Sequence, residues 1–318
     1  MPQAILRRWR RSRYNSQTLG RNVLRPYDLL ENVLIDIEKG IREGVDSDIL
    51  AARYALSERH LRRLFTFAFK QSLSDYMRSR KLTASLDDLL KTESNILDIS
   101  LEYGFDYEWS YIRAFKREFG ITPGDYRKSG QIVKVKPPLH LFDENKMPDG
   151  LFFGPDIVMV PRFHVVGKLH RIPSSDSITL APEAAKAFWL NARSKIKMAK
   201  NGDVYIGLTR YNDNDKGFNE YLTSVQVDSF NDIPQGFNKD TFEVSLCAKF
   251  RYIGQHHYLE INRNVAGAMY EAIMKFTHSK HSNYRLLNDK VFFERIDTNL
   301  YDGTYCQMEW YAPVEEKK

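Results

Sequence analysis

The chain has 318 residues, which is long for one domain and fits two, and its 42% of hydrophobic residues is enough for packed cores. No apolar run approaches the roughly 18 residues that a membrane span needs, and the start, MPQAILRRWRR, lacks the apolar stretch of a secretory signal. The net charge of +6 is uneven: residues 1–25 hold seven arginines and no acid, residues 26–130 hold 16 basic and 18 acidic residues, and residues 131–318 hold 24 and 23. The pI near 9.0 therefore comes from the first 25 residues, and any case for nucleic-acid binding has to rest on patterning and not on bulk charge.

The arm at 1–25 reads either as a phosphate-contacting tail or as a solvated leader. An Arg-rich, acid-poor start also fits an organellar transit peptide. From residue 27 to 128 the periodicity is helical. Leu29, Leu30, Val33, Leu34 and Ile37 recur at helical spacing between Pro26 and Gly40. A short helix follows in SDILAARYAL, with Ser47 expected at its N-cap. Ser57 then caps SERHLRRLFTFAF, whose Leu61, Leu64, Phe65 and Ala68 face inward while Arg59, Arg62 and Arg63 face out. Helix, tight turn and a helix with a basic outer face make a helix-turn-helix pattern.

The pattern recurs about 50 residues later. Residues 73–91 read as one long amphipathic helix, which at ~1.5 Å per residue spans roughly 28 Å. NILDISLEYGF supplies a short helix ending at Gly104, and DYEWSYIRAFKREFG a second recognition-type helix. Tyr111, Ala114, Phe115 and Phe119 are expected inside, and Glu108, Trp109, Ile112, Arg113 and Lys116 outside. Adjacent major grooves on one face of B-DNA recur every ~34 Å, so a rigid helix of this length can hold two recognition helices near that spacing. One chain could then read an asymmetric site as a monomer.

Residues 130–154 are proline-rich and irregular, which predicts a linker. Beyond them, 157–172, 203–211, 220–230, 242–253, 290–297 and 304–313 are strand-like, and 182–198 and 262–278 helix-like. The order is β-α-β-β twice, an α+β internal repeat. Cys247 and Cys306 lie in strand-like runs, which favours buried free thiols over one long-range disulfide. His256 with His257 and His278 with His281 lack a completing Cys or acid, so no metal is expected. No phosphate loop or nucleophile elbow is present, so no cofactor or catalytic residue is expected.

LSERHLRRLF, YMRSRKL, ILDISLEYGF and above all SYIRAFKREFGITPGDYR resemble the AraC/XylS class of bacterial transcription regulators. VVGKLHRI, VYIGLTRY, KVFFERI and MEWYAPVEE resemble the GyrI-like effector-binding domains. The resemblance implies a multidomain chain: arm 1–25, an all-α tandem helix-turn-helix domain at 26–129, the linker, and a GyrI-like domain at 155–318. It implies base reading by Arg59, Arg62 and Arg63 in the first unit and by Glu108, Trp109, Ile112 and Arg113 in the second. Lys116 sits on the same outer face. Arginine forks suit guanine O6 and N7, Glu108 suits the cytosine amine and Ile112 a thymine methyl, although any outward arginine could instead hold a phosphate. In the GyrI-like half the resemblance points to Glu294 as receptor for a lipophilic or cationic small molecule, among the rings of Trp189, Tyr205, Phe293, Trp310 and Tyr311, which could equally be core filling. Glu220 is a second strand acid. The implied partners are promoter DNA and RNA polymerase, and the implied location is the bacterial cytoplasm and nucleoid. Two alternatives stay open: a small hydrolase using Glu294 with a tyrosine, and an architectural or gyrase-interacting DNA-binding protein.

Overall fold

The computed structural model describes residues 24–42, 45–141, 145–147, 149–211, 217–279, 282–287 and 291–317; the expected arm lies outside them but for its last two positions. The chain divides into two units, Tyr27–Phe142 and Asp143–Lys318, the latter together with Met1–Pro26. The first unit is built from helices α1 (Pro26–Lys39), α2 (Ser47–Arg53), α3 (Glu58–Phe69), α4 (Leu73–Lys91), α5 (Ile96–Glu102), α6 (Glu108–Phe119) and α7 (Pro123–Ser129).

Side-chain caps start most of these helices. Ser57 accepts from His60 N, Ser72 from Asp75 N, Asn95 from Asp98 N and Thr122 from Asp125 N. One cap differs from expectation. Asp46, in an extended conformation, caps α2 by accepting from Asp48 N, and Ser47 becomes the first helical residue. The Ser47 hydroxyl is thereby released to donate to Glu58 Oε1 at 2.6 Å.

α4 is shared by both halves of the unit. Its Leu73, Tyr76 and Met77 are buried, and Tyr76 meets the Phe65 ring of α3 at 5.4 Å. Further along, Leu82, Leu86 and Leu89 join Ile99, Tyr103, Tyr111, Phe115 and Tyr126 in a second core. At the middle of α4, Arg80 grips Glu38 of α1 through Nε and Nη2, both at 2.8 Å, and donates through Nη1 to the carbonyl of Lys136. Tyr76 Oη accepts from Leu139 N at 3.1 Å. The first part of the expected linker is thus tied along the helical unit by its backbone.

The second unit has two central repeats, β3 (Phe163–Pro173), α8 (Ser177–Asn191), β4 (Val204–Tyr211), β5 (Phe218–Val227), and β7 (Ser245–Gly254), α9 (Arg263–His278), β9 (Val291–Asp297), β10 (Cys306–Glu316). Added to them are β1 (Lys146–Met147), β2 (Gly150–Val160), β6 (Asn238–Phe242) and β8 (Tyr284–Leu286). The sheet order is β1-β2-β7-β10-β9-β4-β5-β3-β6, with β8 on β10. The repeats meet antiparallel at β4 and β9. β2 begins inside the expected linker, and the single run expected at 157–172 is two strands parted at Pro161 and Arg162. α8 starts before Pro182 and keeps it inside the helix, at the expense of one backbone hydrogen bond.

Only those two residues join β2 to β3, although five strands lie between them in the sheet order. At ~4.8 Å per strand a flat sheet would hold them roughly 29 Å apart, beyond the reach of so short a link. The sheet therefore curls. The ring of Phe293 on β9 touches Phe163 on β3 at 5.3 Å and Phe242 on β6 at 4.8 Å, across the inside of the curl. Alternation sends the other residues of each strand to the outer face, where α8 and α9 pack with Phe188, Val265, Met269 and Ile273 against Tyr205, Tyr252 and Phe292. Cys247 and Cys306 are buried and free.

Candidate nucleic-acid interface and effector groove

α3 and α6 occupy equivalent places in the two helix-turn-helix halves. The tight turn before each needs a left-handed residue: Ala55 at φ 56° in the first half and Gly104 at φ 68° in the second. Arg59 and Arg62 on α3 are exposed and Arg63 is half-buried. Arg62 has a local role that spacing did not reveal. Its Nε bonds Glu58 Oε1 at 2.6 Å, Nη1 bonds Ser74 Oγ at 2.9 Å and Nη2 bonds Ser47 Oγ at 3.1 Å. One guanidinium thus ties α2, α3 and α4 together. On α6, Trp109, Arg113 and Lys116 are exposed, and Glu108 and Ile112 are half-buried.

The two halves are braced against each other within the unit. Arg42 donates to Asp88 at 3.1 Å and to Glu102 at 2.6 Å. Tyr103 Oη donates to the other Asp88 oxygen at 2.6 Å. The arginine is exposed, so the pair itself contributes little to stability; its effect is on orientation.

The second unit holds a groove on the outer face of the sheet, of about 880 Å³ with its solvent-open mouth included. α8 supplies Ile178, Lys186 and Trp189, α9 supplies Tyr270, and Tyr258 and Leu259 come from the loop before α9. The floor is Tyr205 and Thr209 on β4, Tyr221 on β5, Glu294 and Ile296 on β9, and Met308 and Trp310 on β10. Trp189 meets Tyr205 edge-on at 6.3 Å and Tyr258 at 6.2 Å.

Glu294 is the only acid among the described lining residues. Tyr221 Oη donates to Glu294 Oε1, and the Tyr205 and Tyr221 hydroxyls are 2.6 Å apart. Tyr221 spends its proton on the carboxylate, so Tyr205 is the donor of that second bond. Burial raises the Glu294 pKa to about 7, against the lowering effect of the Tyr221 hydrogen bond. Burial, and then the nearby carboxylate, push both tyrosines well above their usual value, so both stay neutral donors. Room for this chain comes from Gly207, which faces Glu294 across the β4–β9 ladder. A Cβ there would lie 2.5 Å from Glu294 Oε1 and 2.6 Å from Tyr221 Oη.

Trp189, Tyr205, Trp310 and Glu294 come together as expected from the sequence, but Phe293 and Tyr311 do not join them. Neighbours in a strand point to opposite faces, so Phe293 lies inside the curl, stacked on Tyr311 at 4.3 Å. Glu220 is exposed, and its neighbour Tyr221 is the β5 residue that meets Glu294. Sequence reasoning missed Tyr221, Tyr258 and Tyr270. A glycine inside VYIGLTRY was the available signal, because a strand glycine marks close approach of another group. The adjacent histidines are used locally: His256 Nε2 pairs with Tyr252 Oη at 2.9 Å, and His257 caps a helical turn.

Residues 50–129 match the family model described as a helix-turn-helix domain, and residues 156–314 the one described as integron-associated effector binding protein. The right origin-binding protein of Escherichia coli (strain K12) is 35% identical over 126 residues, which is 39% of this chain and 43% of that protein. The match thus spans less than half of that relative. The probable transcription factor PqrA of Proteus vulgaris is 33% identical over 120 residues, covering 36% of this chain and 95% of that one. Among solved structures, an integron cassette protein from the mobile metagenome of Vibrio cholerae aligns with a TM-score of 0.38 at 15% identity, over 52% of this chain and 97% of its own.

Proposed function

Because the chain belongs to the AraC-type helix-turn-helix regulators and to the integron-associated effector-binding proteins, we propose that it is a transcription regulator whose DNA reading is governed by a small molecule in its C-terminal groove. The observation that carries the DNA-reading part is the repetition of one device on a shared helix. α3 and α6 each follow a short helix and a left-handed turn residue, each turns polar or aromatic side chains outward, and α4 with the Arg42 brace fixes one against the other. Such a pair suits two successive major-groove faces of an asymmetric promoter site, read by a monomer. Activation through contact with RNA polymerase, and a place in the cytoplasm, are part of the same reading; among the described residues no helix is long and apolar enough to cross a membrane.

Within α3, Arg59 and Arg63 are the base-reading candidates, and Arg62 serves as a positioning residue that holds α3 against α2 and α4. On α6, Glu108, Trp109, Ile112 and Arg113 face the bases and Lys116 the phosphates. In the groove, Glu294 and the rings of Trp189, Tyr205 and Trp310 would receive a lipophilic cation: the carboxylate supplies charge, and the rings supply apolar walls and cation–π faces.

Selection of bound duplexes from random DNA tests the first part. A single asymmetric consensus, bound at least a thousandfold more tightly than competitor DNA, is the expected result. Uniform binding would favour an architectural role and sink the regulator reading. The hydrogen bond from Tyr221 to Glu294 supports a second reading, a hydrolase using the carboxylate as general base. Steady turnover of a bound ester or strained electrophile, lost in Glu294→Gln, would establish it; binding without turnover excludes it in favour of sensing.

A further inference from the structure

Two large exposed rings meet at the start of α6. Tyr107 is 61% exposed and Trp109 62%, and the rings stack with centroids 5.8 Å apart and 20° between their planes. Local stability does not explain the pair. Tyr107 occupies the N-cap position and makes no capping hydrogen bond, whereas Asp46, Ser57, Ser72, Asn95 and Thr122 cap α2, α3, α4, α5 and α7. A serine would have started this helix better, and rings this exposed forgo most of their burial. Five helices of this unit start on a short polar cap and α6 starts on an exposed aromatic ring, a local departure that marks the place as a candidate for function.

The position of the pair identifies what it meets. The first residues of the second helix of a helix-turn-helix face base edges in the major groove. The apolar feature of that edge is the C5 methyl of thymine. Lys116, further along α6, is exposed and available to a phosphate. Glu108, between the two rings, is repelled by phosphates and accepts from base amines, which keeps this end of the helix on the bases. Resting on the DNA-reading function above, we propose that Tyr107 and Trp109 form an apolar pincer for pyrimidine C5 methyl groups. The second half-site is then selected by methyl contact in addition to the polar side chains of α6, where the first is selected by arginine.

The test uses the full chain and the duplex obtained by selection, with each thymine replaced in turn by deoxyuridine, which removes one methyl and keeps every hydrogen bond. Affinity is read by fluorescence anisotropy. One or two positions in the α6 half-site should each lose about fourfold, the value of one buried methyl group, and the rest should not change. Tyr107→Ser restores a cap, so it should raise the melting temperature by a few degrees while weakening the methyl preference; misfolding cannot then account for the loss. Trp109→Ala should abolish the preference. Tight, selective binding that ignores uracil throughout the α6 half-site overturns the pincer and leaves the DNA-reading function standing. Methyl sensitivity that survives when Tyr107→Ser and Trp109→Ala are combined also overturns it. Absence of any selected site defeats the DNA-reading function itself.

Discussion

Glu294 holds its charge under tension. Burial raises its pKa to about 7; the neutral hydroxyl of Tyr221 on β5 donates to it, Tyr205 on β4 bonds Tyr221 in turn, and the groove it lines also holds the rings of Trp189 and Trp310 and Lys186 on α8. Its folded pKa is above the unfolded one, so the folded state binds more protons between about 4.5 and 7 and stability falls as pH rises through that window. A bound cation favours the ionised form. Affinity for a tetraalkylammonium probe should therefore drop by about tenfold for each pH unit below 7 and level off above it. A neutral probe of the same volume should show no such slope. Calorimetry across pH 5–8 reads both, and equal slopes would remove Glu294 from the site. The same chain of groups depends on Gly207. Gly207→Ala places a methyl against Glu294 Oε1 and Tyr221 Oη, so one of these must move and their hydrogen bond is broken. Affinity for the cationic probe should fall by roughly 10–100-fold, the range for a hydrogen bond to a charged group, while binding of the selected duplex is kept. Unchanged cation affinity would show that the pair does not shape the groove.

At the scale of elements, the helical unit was legible and the sheet was only half legible. Helix period, Ser57 and the glycine punctuation placed α3, α4 and α6 well, because each buries one stripe against neighbours close in sequence. Strands are read by alternation, which gives their existence but not which side faces a groove. Phe293 beside Glu294 and Tyr311 beside Trp310 cannot share a face. Tyr221 reaches Glu294 through a β5–β4–β9 register that joins residues 73 apart, and no local pattern encodes that register. The turns carry a prediction of their own. Ala55 holds φ 56° where the second half uses Gly104 at φ 68°, and a left-handed alanine costs roughly 1 kcal/mol that glycine does not. Ala55→Gly should therefore be neutral or stabilising by up to about 1 kcal/mol, despite the entropy glycine adds to the unfolded chain. Gly104→Ala should destabilise by about as much. Urea melts of the two variants decide it, and clear destabilisation by Ala55→Gly would mean that the turn is held in some other conformation.

Across the whole molecule, charge separates what steers from what specifies. The seven arginines of residues 1–25 exceed the net charge of +6, and residues 26–130 are acidic by two once their 16 bases are set against 18 acids. A DNA-reading unit with that balance has little long-range attraction for a polyanion beyond its own outward face. The arm is where such attraction is concentrated. Each phosphate neutralised by an arginine releases counterions and steepens the fall of log affinity with log salt by about 0.9. Deleting residues 1–25 should therefore flatten that slope by about 0.9 for every phosphate the arm had neutralised, and should weaken selected and random duplexes by similar factors at low salt. Discrimination between them should hold, because phosphate pairing positions a protein without reading sequence. Titrations of the full chain and the shortened one across a range of salt concentrations give the slopes directly. An unchanged slope would make the arm a solvated leader, and weakening confined to the selected duplex would make it a reader of bases.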